Sequence, residues 1–144
     1  MNVTSTVIGY PYIGAKREWK RTLEKFWKKE ISEEQFESEL KSLRLARLKH
    51  QQELGLDYIT VGDFTKYDRM LDLATTFNLI PSRYDVLKNP TSNELYYAMA
   101  RGANEVVASE MTKWFNTNYH YIVPEYEGKT LSLNGNYILD QFLE

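Results

Sequence analysis

The chain has 144 residues, 42% of them hydrophobic and 14% aromatic, which is too apolar for intrinsic disorder. A domain of that size buries roughly 70% of the surface its unfolded chain exposes. Eighteen Lys and Arg against twenty Asp and Glu give a net charge of −2, without the basic excess of a nucleic-acid module. The absence of cysteine excludes disulfides and thiolate metal ligands within these residues, and no apolar run is long enough to span a membrane.

Thr6, Val7 and Ile8 predict a short first strand that runs into Gly9-Tyr10-Pro11. After Gly14 a helix is expected, because Trp19, Leu23, Phe26 and Trp27 recur at helical spacing and give it one apolar face. Ser32 and Gln35 form a capping box for a second helix with an apolar stripe of Phe36, Leu40 and Leu43, and Gly55 stops it. Tyr58 to Val61 predicts a second strand. Thr65 with Asp68 is read as the start of a third helix, which Pro81 ends. Thr91 and Glu94 make a further capping box, opening a helix that runs to Gly102. The stretch from Glu105 to Phe115 fits a helix by spacing, yet it is short and ends in a polar turn, so it stays undecided. Tyr119 to Val123 predicts a strand stopped by Pro124, and Asn134 or Asn136 is the cap expected for a last helix containing Ile138, Leu139 and Phe142. Strand, helices, strand, helices, strand, helix is the order of an α/β fold with parallel strands. There is no internal repeat and no linker-like tract, so residues 1–144 are read as a single domain. The start has no basic region followed by a long apolar stretch, and cytoplasmic placement is the expectation.

Three constellations carry chemistry or its bland alternative. Gly14-Ala15-Lys16-Arg17-Glu18-Trp19-Lys20 places cations at a helix start, where free N–H groups and the helix dipole favour an anion. Lys16 and Lys20 are four apart and are expected to share a face, and Arg17 offers a bidentate fork. A solvated helix start is the competing reading. Lys41, Arg44 and Arg47 follow Glu33, Glu34, Glu37 and Glu39 along the second helix, acid early and base late, which reads as a solvated face. Trp114 to Tyr121 alternates rings with amides and His120, a pattern suited to the rim of a pocket for a heterocycle. Asp63, Asp68 and Asp72 read as a cap, a capping-box partner and a surface residue. No His, Asp or Glu cluster stands at metal-ligand spacing.

Several of these stretches together resemble the amino-terminal domain of cobalamin-independent methionine synthase. They are Gly9-Tyr10-Pro11, Gly14 to Lys20, Val61-Gly62-Asp63-Phe64 with Tyr67-Asp68, Ala98-Met99-Ala100-Arg101-Gly102, and above all Glu110 to Tyr121 continuing into Val123-Pro124-Glu125. They run in the family's order and cover nearly the whole chain. The resemblance implies methyl transfer from 5-methyltetrahydrofolate polyglutamate to homocysteine by a protein of two TIM-like barrels. It implies folate contacts at Arg17, Glu18, Trp19, Lys20 and Lys113, with zinc and homocysteine in the other barrel. Such a barrel takes about 250 residues, so this chain is expected to supply three to four strand units and leave the barrel unclosed. No catalytic residue, no metal ligand and no cofactor is expected within the chain itself. Its implied partners are the folate and the remainder of the synthase, with self-association across open strand edges. The alternatives are a stand-alone binding or regulatory module and a purely structural piece. Tyr12 stands where the family commonly has arginine, which lowers the local positive charge. Arg69 stands where histidine is common, and nothing in the sequence explains it.

Overall fold

The computed structural model describes residues 3–144. They form two compact units, one comprising the residues up to Phe64 together with Ile138–Glu144, the other Thr65–Tyr137.

In the first unit, α1 (Glu18–Trp27) and α2 (Glu33–Glu53) pack as an antiparallel pair. The expected Ser32–Gln35 capping box starts α2. Phe26 stacks on Phe36 at 4.4 Å, and Phe36 and Leu40 are fully buried. Beside them, the Thr22 hydroxyl donates to Glu39 at 2.8 Å. Trp19 completes a second aromatic cluster with Tyr12 at 5.2 Å and Phe64 at 5.9 Å. Tyr12 is thus a packing ring of this cluster. The two strands expected at Thr6–Ile8 and Tyr58–Val61 do not form regular ladders. Their segments nevertheless run side by side in the same direction: Tyr58 N–H donates to Ser5 O at 3.1 Å, and the Thr60 hydroxyl donates to Val7 O. Asp63 caps no helix and instead accepts from the Tyr10 N–H at 3.0 Å, holding the first segment in place. The last helix, α5 (Tyr137–Leu143), returns to this unit from Ile138 onward, where Gln141 donates to Phe64 O at 3.0 Å.

The second unit contains α3 (Arg69–Thr76), a 3₁₀ turn (Ser82–Val86), α4 (Ser92–Arg101) and a hairpin of β1 (Met111–Lys113) with β2 (His120–Ile122). Asp68 is the N-cap of α3, accepting from the Leu71 N–H, so the helix starts later than a Thr65 start would put it. Thr91 and Glu94 make the expected capping box of α4. Tyr96 to Ala100 are all buried in α4, and Leu71 is buried in α3. Among the described residues the one sheet is this two-stranded antiparallel hairpin, with Met111, Thr112 and Lys113 opposite Ile122, Tyr121 and His120. The undecided stretch therefore ends in a strand, and the predicted strand at Tyr119–Val123 is present one residue shorter at each end. The mixed α/β character holds, but the regular pairing is antiparallel where parallel strands were expected.

Candidate functional site

The helix start at Gly14–Lys20 is built by a tight turn. Gly14 has φ +85°, and Arg17 N–H donates back to Gly14 O at 3.0 Å. Arg17 is the N-cap of α1 in the left-handed region, with φ 58°, and its own side chain caps nothing. That conformation leaves the guanidinium exposed, and no side-chain partner for it exists among the described residues. Lys16 lies outside the helix, so it shares no helical face with Lys20. Lys20 is exposed and pairs with Glu24 at 3.6 Å. Trp19 is 2% exposed, so its ring belongs to the core.

An anion does sit at this helix start, and it is the protein's own. The Glu18 carboxylate folds over the turn and accepts from the Lys16 N–H at 3.1 Å. A Cβ on residue 14 would lie 1.9 Å from Glu18 Oε2 and 3.2 Å from Arg47 Nη2. Backbone N–H donors at Glu18 and Lys16, aided by the charges of Arg47 and Arg21, hold the Glu18 carboxyl below its ordinary pKa. Arg47 therefore belongs to this neighbourhood, although its sequence context read as a solvated face. Arg44 corrects the same reading more strongly. It is 8% exposed and forms a two-pronged ion pair with Glu144, its Nε donating at 2.7 Å. Acid-early, base-late patterning cannot reveal a partner 100 residues away.

Lys113 stands on β1, exposed, opposite His120, with no ion-pair partner among the described residues. Its neighbours in the stretch Trp114 to Tyr121 form a small cluster of rings. Trp114 meets Phe115 at 5.0 Å and Tyr121 at 5.7 Å, both edge-on. Trp114, Phe115 and Tyr119 are exposed, while Tyr121 is half-buried. Trp114 N–H donates to Tyr119 O at 2.8 Å, closing the turn between the strands. Arg17 to Lys20 belong to the first unit and Lys113 to the second.

Beneath the hairpin lies a polar cluster that the sequence did not mark as such. Asp68 is 5% exposed, and its two oxygens accept from the Leu71 N–H at 3.0 Å, the Ile122 N–H at 3.1 Å and the Tyr119 hydroxyl at 3.0 Å. Asp72 is buried as well, which corrects its reading as a surface residue, and it accepts from the Tyr96 hydroxyl at 2.7 Å. Burial, reinforced by the charge of Asp68, pushes the Asp72 carboxyl up to about 6, against the opposing pull of Thr65 and Tyr96 hydrogen bonds. The i, i+4 spacing of the two aspartates was the available signal; their burial was not visible in it.

Residues 4–144 match the family model described as the cobalamin-independent synthase, N-terminal domain. The chain belongs to this family. Curated relatives include the 5-methyltetrahydropteroyltriglutamate–homocysteine methyltransferases of Bacillus mycoides (strain KBAB4), 54% identical, and of Bacillus thuringiensis (strain Al Hakam) and Bacillus anthracis (strain A0248), each 53% identical. Each similarity covers 94% of this chain and 18% of the relative, so the chain spans about a fifth of the length of these proteins. The cobalamin-independent synthase domain described here has no group of three or more His, Asp or Glu placed to hold a metal among the described residues, and it has no cysteine. Its residues do not fit a zinc site. No helix among the described residues is long and apolar enough to cross a membrane.

Proposed function

We propose that this chain is the folate-side segment of a cobalamin-independent methionine synthase. In this reading it holds 5-methyltetrahydrofolate polyglutamate while the methyl group passes from the folate nitrogen to the sulfur of homocysteine. The observation that carries the reading is the state of two cations in the motifs that resemble the family's folate contacts. Among the described residues, Arg17 and Lys113 are both exposed and both without a side-chain partner. A glutamyl carboxylate suits each, as a bidentate partner for the guanidinium and a point-charge partner for the ammonium. Lys20 exchanges its weak exposed pairing with Glu24 for a ligand carboxylate, since such surface pairs contribute little. Glu18 and Trp19 shape the turn, one by its carboxylate over Gly14 and the other by anchoring α1.

Zinc and homocysteine belong, in this proposal, to the remainder of the synthase, which acts in the cytoplasm and also completes the barrel. The side-by-side course of residues 5–7 and 57–60 supports the chain's contributing strand units to such a barrel. Methyl transfer needs the thiol as a thiolate at neutral pH, which a metal supplies. The chain alone is therefore expected to form no methionine from methyltetrahydrofolate and homocysteine. Methionine formed by the purified, metal-stripped chain would overturn that expectation. Calorimetric titration with triglutamyl 5-methyltetrahydrofolate tests the binding itself. Lys20→Ala is expected to weaken it by about 1–2 kcal/mol, the size of a partly shielded charged hydrogen bond. Unchanged affinity in a binding-competent preparation would remove Lys20 from the site.

A further inference from the structure

An N-cap needs one hydrogen bond, and Asp68 makes three. The Leu71 bond caps α3, whereas the other two leave the helix altogether. One reaches the Ile122 N–H in β2 and one the Tyr119 hydroxyl at the start of the hairpin's return. Those two residues flank His120, the cross-strand partner of Lys113, and the Tyr119 carbonyl accepts from the Trp114 N–H next to Lys113. The Asp68 carboxylate thus holds both ends of the segment that lies across from Met111 to Trp114, with Lys113 between them. A carboxylate is suited to this task because both oxygens only accept, and together they can serve three donors. We propose that Asp68 is the positioning residue of the Lys113 hairpin, fixing the height and direction from which Lys113 and the Trp114–Tyr119 rim meet the ligand. The proposal rests on the reading of Lys113 as a folate contact. Asp68 itself touches no ligand.

The test compares the 144-residue chain with Asp68→Ser, Asp68→Asn and Tyr119→Phe. Serine caps a helix as well as aspartate, but it is shorter and has one oxygen, so it abandons Ile122 and Tyr119. The amide of Asp68→Asn keeps the reach and one accepting oxygen. In ligand-free protein, amide exchange at Ile122 and Trp114 is expected to quicken at least about tenfold in Asp68→Ser, with Tyr96 to Ala100 of α4 unchanged. The Kd for triglutamyl 5-methyltetrahydrofolate is expected to rise about tenfold in Asp68→Ser and to return close to wild type in Asp68→Asn. Tyr119→Phe keeps the ring and removes one bond, so it serves if the serine variant fails to fold. It is expected to speed exchange at Trp114 and raise Kd about threefold. Wild-type binding with unchanged Kd in Asp68→Ser, or in Tyr119→Phe where that variant stands in, overturns the positioning role. Unchanged hairpin exchange overturns the tether. Wild type that does not bind the folate is a different failure: it sinks the folate reading and the ligand-directed role, while exchange still decides whether Asp68 holds the hairpin.

Discussion

Asp72 carries a proton to about 6 in the folded chain, against an ordinary value of 3.8. The folded state therefore binds that proton more tightly than the unfolded state, and stability falls as pH rises between those two values. Above pH 6 the whole penalty is present, on the order of 3 kcal/mol for a shift of this size. Asp72→Asn imitates the protonated acid and still accepts from Tyr96. It is expected to stabilise the protein at pH 7 by roughly 1–3 kcal/mol and to flatten this part of the stability profile between pH 4 and 6. Urea melts of both proteins across that range check it; an unchanged slope would mean that water reaches the carboxyl. Arg44 presents the opposite case, a mostly buried guanidinium whose partner Glu144 is equally enclosed. Removing one member leaves the other charge uncompensated. Arg44→Ala is expected to cost about 3 kcal/mol, and a smaller loss in Arg44→Ala/Glu144→Ala than the sum of the single losses would show their coupling.

Among the elements, the capping boxes tie local sequence most directly to local structure. Thr91→Ala removes the acceptor for the Glu94 N–H at 3.2 Å and is expected to cost about 1 kcal/mol. Fraying at Ser92 and Asn93, read by amide exchange, distinguishes this from a packing defect deeper in α4. The same locality explains what could be read in advance. Ser32 with Gln35 and Thr91 with Glu94 satisfy each other within one turn, and Trp19 and Leu23 find the core through helical spacing alone, so these helices were visible in the sequence. Strands were less so. Thr6 to Ile8 and Tyr58 to Val61 have the right composition, but a ladder needs a partner in register, and composition does not specify one. Met111 to Lys113 lay in an undecided stretch, because Val107, Met111 and Phe115 fit helical spacing while the run is short and ends in a polar turn. At the candidate site, Arg17, Lys20 and Lys113 are named from the resemblance to family motifs. The Glu18 carboxylate over Gly14, the approach of Arg47 and the three bonds of Asp68 were not, because each depends on a neighbour that only folding supplies.

At the scale of the molecule, much apolar surface stays uncovered. Ile8, Phe115, Phe142 and Leu143 are each more than half exposed, and a net charge of −2 offers little repulsion between copies. Self-association at micromolar concentration is the expected outcome. Sedimentation across a hundredfold dilution series measures it, and one monomeric species throughout would refute it. The two units also differ in how the chain composes them. Thr65–Tyr137 is one continuous stretch, whereas the first unit recruits Ile138–Glu144 through the Gln141 bond to Phe64 and the Arg44–Glu144 pair. During synthesis the continuous stretch is complete as soon as residue 137 has emerged from the ribosome. Residues 3–64, carrying Arg17 and Lys20, complete their unit only once Ile138–Glu144 are available to it. On that order of synthesis, the unit whose first residues precede the continuous stretch is completed after it.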